Sequence, residues 1–172
     1  TTRLGNISTP MRDRFGAIFR LDFYQKDEIF KILKRTASIL EMTVQDDALT
    51  EIAGRSRGTP RIANRVLKRV RDFAQVKNVK EISLEDARSS LDSIGIDENG
   101  LENMDRKILK NLIVNYNGGP TGGKSLAISI NEDIQTIEDV YEPYLIKEGF
   151  IERTSRGRIA TDKAYALFDL KK

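Results

Sequence analysis

The fold of this chain is decided by residues 55–74, which read RSRGTPRIANRVLKRVRDFA. Gly58, Thr59 and Pro60 form a helix-start signal, because threonine can cap the free amides of a first turn and proline is tolerated at the first helical position. Spacings of four, four and three residues then define one apolar stripe, formed by Ile62, Val66, Val70 and Phe73. The segment therefore predicts an amphipathic helix that presents arginines on its other faces.

Arg61 occupies an unusual position in this predicted helix. It lies in the first turn, where the macrodipole and the unpaired amides favour an anion and disfavour a cation. An arginine at this position suits a bound phosphate, since the guanidinium and the helix terminus would act on the same charge. The alternative is a solvated basic helix face, and the residues alone leave both interpretations open.

Composition limits the chemistry available to the chain. Its 172 residues, 39% of them hydrophobic, predict one or two small soluble domains. The net charge is only +3, so a nucleic-acid surface must be a local patch. Cysteine and histidine are absent, which excludes disulfides, thiolate nucleophiles and histidine-based catalysis, and no metal site is predicted. Neither a membrane-length apolar run nor a signal peptide is present, which predicts a cytoplasmic protein that does not bind membranes.

Helical periodicity extends on both sides of the arginine-rich segment. Two helices are predicted before it, over residues 25–40 and 47–56, and a fourth is predicted after it, where Ser83 and Asp86 form a capping box. Short extended pieces at 43–44 and 81–82 are predicted to pair. Together they predict a four-helix unit of residues 25 to about 95, with a linker at 97–100. Residues 1–24 are loop-rich, with a strand pattern at 18–21, and are too few to fold alone. Within them, residues 11–16 fit either a short helix that ends at Gly16 or a surface turn whose arginines have no function.

The last segment predicts three helices followed by a hairpin, which is the order of a winged helix. The predicted elements are a helix around residues 104–113, a short helix around 126–130, a third helix from Thr136 with a kink at Pro143, and strands at 150–154 and 158–161. The third helix carries four acidic residues between positions 138 and 148, so it would fit poorly in a major groove. The hairpin carries arginines instead, and we expect any DNA contact to come from the hairpin and to go to phosphates. The alternative is a basic hairpin kept soluble by its charges.

Residues 118–125, GGPTGGKS, satisfy the phosphate-loop pattern G-x-x-x-x-G-K-[ST]. Such a loop works between a buried strand and a helix, with a second strand that carries a carboxylate for magnesium. Residues 109–114 instead continue the helical period from Met104, and no apolar strand ending in aspartate follows Ser125. We therefore interpret the motif as a turn between two helices.

Three phrases together resemble the RuvB family of bacterial ATP-driven motors that move Holliday junctions: TTRLGNISTPMRDRFG, RSRGTPRIANRVLKRVRDFA and EPYLIKEGFIERTSRGRIAT. The similarity spans nearly the whole chain. It implies a mainly α fold in which residues 1–24 end a large AAA+ α/β domain, 25–97 form the small helical lid and 98–172 form a winged-helix DNA-binding domain. It also implies that the phosphate loop and the magnesium-binding acidic strand precede Thr1, so that this chain alone does not hydrolyse ATP.

The resemblance implies a role for individual residues. Thr2, or the threonine before it, resembles the sensor of the γ-phosphate, and Arg14 resembles the arginine finger given to the neighbouring subunit's ATP. Tyr24 resembles the residue that lines the base, with Pro60 nearby. Arg61 resembles the second sensor, which meets the γ-phosphate in its own subunit. Arg14 of one subunit and Arg61 of its neighbour would therefore lie on opposite sides of the same nucleotide and report whether ATP or ADP is bound.

On the hairpin, Arg153 and Arg158 resemble the family's DNA-contacting arginines, and Arg156 is a third candidate. Ser155 stands where a proline is common in the family, which puts the stiffness of the turn in doubt. The implied cofactors are ATP or ADP and Mg²⁺. The implied partners are duplex DNA, Holliday junctions, five further copies in a homohexamer, and RuvA and RuvC. Two other interpretations are a winged-helix initiator or regulator of the same ATPase superfamily, and a protein-interaction domain without DNA affinity.

Overall fold

The computed structural model of the chain describes residues 7–19 and 21–171. Its buried hydrophobic residues form two separate clusters along the sequence. The first extends from Ile29 to Ile96, and the second extends from Leu101 to Tyr165. The architecture is mainly helical, as predicted, and the strands of the described part form one two-stranded sheet.

Four helices enclose the first cluster. The elements of this part of the chain are α1 (Thr9–Arg12), α2 (Lys26–Ile39), α3 (Asp46–Gly54), α4 (Pro60–Val76) and α5 (Leu84–Ser93). A parallel bridge joins Val44 to Ile82, so the two predicted extended pieces do pair. The predicted capping box of α5 is also confirmed, since Ser83 Oγ accepts from the Asp86 amide at 3.2 Å and Asp86 Oδ2 accepts from the Ser83 amide at 3.0 Å.

Helix α4 begins at Pro60 as predicted, but its start and its buried face differ in detail. The Thr59 side chain makes no cap hydrogen bond, and the carbonyl of Thr59 instead accepts from the Ala63 amide at 2.9 Å. The buried face is wider than the predicted stripe and consists of Ala63, Val66, Leu67, Val70 and Ala74. Phe73 is only half-buried, because it lies at the edge of this face, where the ammonium of Lys77 is 4.3 Å from its ring centroid.

The second cluster belongs to a winged helix. Its elements are α6 (Asn103–Tyr116), α7 (Gly123–Ile130), α8 (Ile134–Thr136), α9 (Glu142–Lys147), β1 (Ile151–Thr154), β2 (Gly157–Ala160) and α10 (Asp162–Ala166). Strands β1 and β2 are antiparallel, with Ile151 opposite Ala160 and Thr154 opposite Gly157. This register leaves a two-residue turn at 155–156, within the turn that the sequence predicted.

The third helix of the winged helix is less regular than the sequence predicted. It begins after Asp133, whose side chain accepts from the amides of Gln135 and Thr136, rather than at Thr136 itself. A π-helical turn, Ile137–Tyr141, separates α8 from α9. Pro143 lies in the first turn of α9, where a missing amide costs no hydrogen bond. The irregularity predicted at Pro143 therefore lies one turn earlier.

Regular structure is sparse among the described residues that precede α2. The short helix α1 starts at Thr9, with Pro10 in its first turn, and it ends at Arg12 rather than at Gly16. The strand predicted at 18–21 is not formed by those of its residues that the structure describes. A strand needs a neighbouring strand to bond its backbone groups, and none of the described residues pairs with this segment. Its apolar side chains are accordingly exposed, with Phe19 at 85% and Leu21 at 94%.

Candidate nucleotide-sensing and DNA-binding sites

Arg61 lies in the first turn of α4 and is exposed. Its neighbour Arg65 pairs with Glu102, with Nη2 and Oε1 3.3 Å apart, whereas Arg61 forms no ion pair within residues 7–19 and 21–171. The cation in this unfavourable position is thus not compensated by a carboxylate of the described chain. The phosphate predicted beside Arg61 stays a prediction, and the exposed side chain is able to reach such a group.

Tyr24 is held at the same end of α4 through the backbone. Its amide donates to the carbonyl of Gly58 at 2.9 Å, and its half-exposed side chain lines a 260 Å³ cleft with Lys147. Gly58 has a φ of +64°, and a Cβ there would lie 2.7 Å from the Tyr24 carbonyl oxygen, so the contact requires glycine. The backbone of Tyr24 is therefore held at Gly58, two residues before the first residue of α4, although the two segments are far apart in sequence.

Arg14 lies in the turn that follows α1, and it is exposed. The turn is held by the amide of Arg14, which donates to the Met11 carbonyl at 3.3 Å. Within the described residues the Arg14 side chain forms no ion pair, so it is available to a group outside this chain. Thr2, the other predicted catalytic residue, lies outside the described residues.

Residues 118–125 do not adopt the conformation of a phosphate loop. Thr121 exchanges two backbone hydrogen bonds with Arg158, at 3.0 and 2.9 Å, and the Gly118 carbonyl accepts from the Ala160 amide at 2.8 Å. The segment therefore pairs with the edge of β2. A Cβ at Gly119 would lie 2.2 Å from the Arg158 carbonyl oxygen, so this glycine allows close pairing rather than phosphate binding. The segment is a turn between two helices, as interpreted, but one that is bonded to the hairpin.

Replacing Lys124 by alanine is accordingly expected to leave the ATP affinity of the complete protein unchanged. The lysine of a true phosphate loop contacts the β- and γ-phosphates, whereas Lys124 is an exposed residue at the start of α7. Titration with a fluorescent ATP analogue measures the affinity, and Lys110→Ala on α6 is the matched control. A large loss of affinity in Lys124→Ala alone would show that our interpretation of the motif is wrong.

The three predicted DNA-contacting arginines occupy different environments. Arg156 is exposed at the turn between β1 and β2. The Arg153 side chain is 54% exposed, and its nitrogens lie 3.3 Å from Glu138 and 3.8 Å from Glu142. The Arg158 side chain is only 7% exposed. Its Nε donates to Glu142 and its Nη2 donates to Glu138, both at 2.6 Å.

Arg158 therefore has a structural role that the sequence did not predict. Burial alone would lower the pKa of its guanidinium, but the hydrogen bonds from Arg158 to Glu142 and Glu138 hold that pKa above its usual value. The ion pairs of Arg158 with Glu138 and Glu142 thus join β2 to the acidic third helix. A direct contact of Arg158 with a phosphate would require it to exchange these carboxylates for DNA, so that role stays a prediction which this geometry does not favour.

No group of three or more Asp, Glu, His or Cys side chains within residues 7–19 and 21–171 is arranged to hold a metal ion. In the same part of the chain, every helix is too short or too polar to cross a bilayer.

The four-helix unit has, at the start of its long helix, an arginine without an ion pair in the described part of the chain, and a winged helix follows it. This is the architecture of the lid and winged-helix regions of an AAA+ protein. Residues 24–97 match the family model of the RuvB AAA lid domain, and residues 98–169 match that of the RuvB C-terminal winged helix domain. The chain belongs to the RuvB family.

Relatives with known names agree with this assignment. The chain is 53% identical over 170 residues to the Holliday junction branch migration complex subunit RuvB of Oleidesulfovibrio alaskensis, a match that covers 99% of this chain and 53% of that protein. It is 49% identical over 168 residues to the subunit of the same name from Fusobacterium nucleatum subsp. nucleatum, covering 98% and 51%. A solved structure of the Thermotoga maritima RuvB Holliday junction branch migration motor superimposes with a TM-score of 0.93 at 46% identity, covering 98% of this chain and 56% of that one. The chain thus spans about half the length of the relatives it matches.

Proposed function

We propose that the complete protein is an ATP-dependent motor that drives branch migration of Holliday junctions, as a hexameric ring on duplex DNA. Membership of the RuvB family supports this function. The structural observation that carries it is the exposed guanidinium of Arg61, which stands at the N-terminus of α4 without a carboxylate partner in the described chain. Such a group suits the terminal phosphate of a nucleotide.

The proposed cofactors are ATP or ADP with Mg²⁺, and the described residues fit the nucleotide better than the metal. Tyr24 offers a half-exposed ring for the base, Pro60 begins the helix that carries Arg61, and Arg61 offers the γ-phosphate a cation that has no ion pair within the described residues. Arg14 is proposed to act on the ATP of the neighbouring subunit, and Thr2 on the ATP of its own. When bound, ATP supplies the phosphoryl group that is transferred to water. Mg²⁺ is proposed as a cofactor of the complete protein on the strength of the family resemblance alone.

The proposed DNA contact is made by the hairpin and is directed at phosphates. Arg156 is free to reach a backbone phosphate from the turn, and Arg153 is half-exposed beside it. The third helix bears the carboxylates that bind Arg158, so it is unsuited to a major groove. Recognition would then be independent of sequence, as a motor that moves along DNA requires. RuvA and RuvC are proposed as partners of the complete protein on the strength of the family resemblance alone.

The test is branch migration of a synthetic four-way junction by the complete protein. We expect ATP-dependent conversion of the junction into duplexes, measured on native gels. Arg156→Ala is expected to weaken DNA binding equally for all sequences and to reduce the slope of log K against log salt by about one unit, because one phosphate contact is lost. Arg35→Ala, on the exposed side of α2, is the control. Sequence-selective binding without migration would instead favour an initiator or regulator.

A further inference from the structure

The two helical units of this chain meet through a narrow junction. Residues 97–100 lead directly from the first hydrophobic core to the second. Within the described residues, no helix of the lid packs extensively along a helix or strand of the winged helix. Polar contacts join the two units instead: Arg57, in the loop between α3 and α4, bonds Gly100 and Asp105, Arg65 of α4 pairs with Glu102, and Arg106 of α6 bonds the Gly95 carbonyl and Asp97. The relative orientation of the two units therefore depends on a few charged side chains.

Arg57 is the most buried of these three arginines. Its Nε donates to the Gly100 carbonyl at 3.0 Å, and its Nη2 donates to Asp105 Oδ2 at 2.5 Å. Its guanidinium also lies 4.8 Å from the ring centroid of Tyr144. A single lid side chain thus binds the linker, α6 and α9 of the winged helix.

The conformation of Arg57 is unfavourable for an ordinary surface arginine. Its φ is +57°, in the left-handed region that residues with a Cβ avoid. Its side chain is 7% exposed, so a cation has been withdrawn from water. A residue that combines a strained backbone with a buried charge is held there by its surroundings, which is typical of functional positions.

The winged helix forms a fitted receptor for this side chain. Asp105 is fully buried, and its Oδ2 also accepts from the Glu102 amide at 2.7 Å, which fixes it at the start of α6. Burial raises the pKa of Asp105, and the charge of Arg57 together with the hydrogen bonds from the Glu102 amide and Arg57 opposes that rise. The Tyr144 hydroxyl donates to the Asn99 carbonyl at 2.7 Å, and a Cβ at Gly100 would lie 2.8 Å from that hydroxyl oxygen.

The same loop carries the beginning of the nucleotide-sensing helix. Gly58, the residue after Arg57, accepts the backbone hydrogen bond of Tyr24, and α4 with Arg61 starts two residues later. We propose that Arg57 is a positioning residue that locks the lid and the winged helix into one rigid body, so that movement at the start of α4 turns the winged helix with it. The contacts described above support the rigid connection between the lid and the winged helix, whereas the role of that connection in moving DNA rests on the proposed function.

The rigidity is tested by distance measurements between the two units. Because the sequence contains no cysteine, spin labels can be placed specifically by Ser38→Cys on α2 and Asn115→Cys on α6, both exposed positions on helices. Pulsed electron paramagnetic resonance is expected to give one narrow distance distribution for the otherwise unchanged chain. We expect Arg57→Ala to widen this distribution at least twofold, while circular dichroism shows that both units stay helical.

Two further variants guard against a general loss of structure. Arg65→Ala removes an exposed cross-junction ion pair and is expected to leave the distribution narrow. Asp105→Asn keeps the shape of the receptor but removes its charge, and it is expected to widen the distribution less than Arg57→Ala does. A folded Arg57→Ala or Asp105→Asn protein with a distribution as narrow as that of the parent would overturn the proposal.

The functional consequence is measured in the complete protein. The coupling is the number of base pairs migrated per ATP hydrolysed, and we expect Arg57→Ala to reduce it at least tenfold. The effect of Arg57→Ala on ATP hydrolysis itself should be smaller. Arg57→Lys should recover part of the coupling. Parent-like coupling in Arg57→Ala would refute the role in movement. If the parent itself moves no junction, the proposed function fails, and the distance measurements still decide whether Arg57 holds the two units together.

Discussion

Replacing Arg14 by alanine in the complete protein is expected to lower ATP turnover by about 10³- to 10⁵-fold, as the loss of an arginine finger does. Nucleotide affinity should change little, because the finger acts on charge that develops in the transition state. The structure leaves Arg14 exposed after α1 and without an ion pair in the described chain, so its guanidinium is available to a neighbouring subunit. Single-turnover hydrolysis and nucleotide titration measure the two quantities separately.

Arg12 provides a matched control for this experiment. It lies two residues before Arg14, at the end of α1, and its Nη2 donates to Thr9 Oγ1 at 3.1 Å, so it is already engaged within its own subunit. Arg12→Ala should hydrolyse ATP at nearly the parent rate. In rings mixed from parent and Arg14→Ala subunits, the Arg14 of a parent subunit should restore ATP turnover only at the nucleotide site of the neighbouring subunit. Parent-like turnover by Arg14→Ala rings would remove Arg14 from the mechanism.

Replacing Arg158 by methionine is expected to destabilise the winged helix by about 3 kcal/mol, since removal of one partner leaves a buried charge uncompensated. Glu142, which is 1% exposed, would lose the hydrogen bond from Arg158 Nε, and only Arg153 at 3.8 Å would remain nearby. Urea unfolding followed by circular dichroism measures the loss. Arg156→Ala, at the exposed turn, should unfold as the parent does.

A second substitution separates stability from DNA contact. Adding Glu142→Met to Arg158→Met replaces a buried ion pair by apolar groups, and it is expected to recover most of the lost stability. If Arg158 acts by holding the hairpin on the third helix, DNA affinity should recover together with stability. Recovered stability without recovered DNA affinity would show that Arg158 contacts the DNA itself, as the family resemblance implies.

Those features of the fold that depend on local signals could be predicted from the sequence. Pro60 marks the start of α4, and Ser83 with Asp86 marks the start of α5, because each signal acts within one turn of the chain. The strand predicted at 18–21 was wrong for its described residues, because a strand also needs a partner that periodicity does not supply.

In the candidate site, too, features set by local sequence could be predicted and features set by long-range contacts could not. The place of Arg61 in the first turn of α4 could be predicted from the helix-start signal, because that signal acts within one turn, whereas the phosphate inferred from helix electrostatics stays a prediction. Arg57 was missed because its partner Asp105 lies 48 residues away, and its left-handed backbone leaves no mark in a hydrophobic pattern. Glu142 was interpreted only as a charge unfavourable to DNA. Its pairing with Arg158 joins a helix to a strand, which no spacing along either element reveals.

The glycine-rich segment that pairs with β2 also protects the hairpin from unwanted association. A hairpin of two strands alone is marginally stable in water, and its unpaired edges are templates for pairing between molecules. Thr121 covers the β2 edge, so β1 is left as the open one. Glu152 and Arg153 are exposed along β1, and charges on an edge strand discourage sheet extension. Crowded copies of this domain would therefore resist β-aggregation.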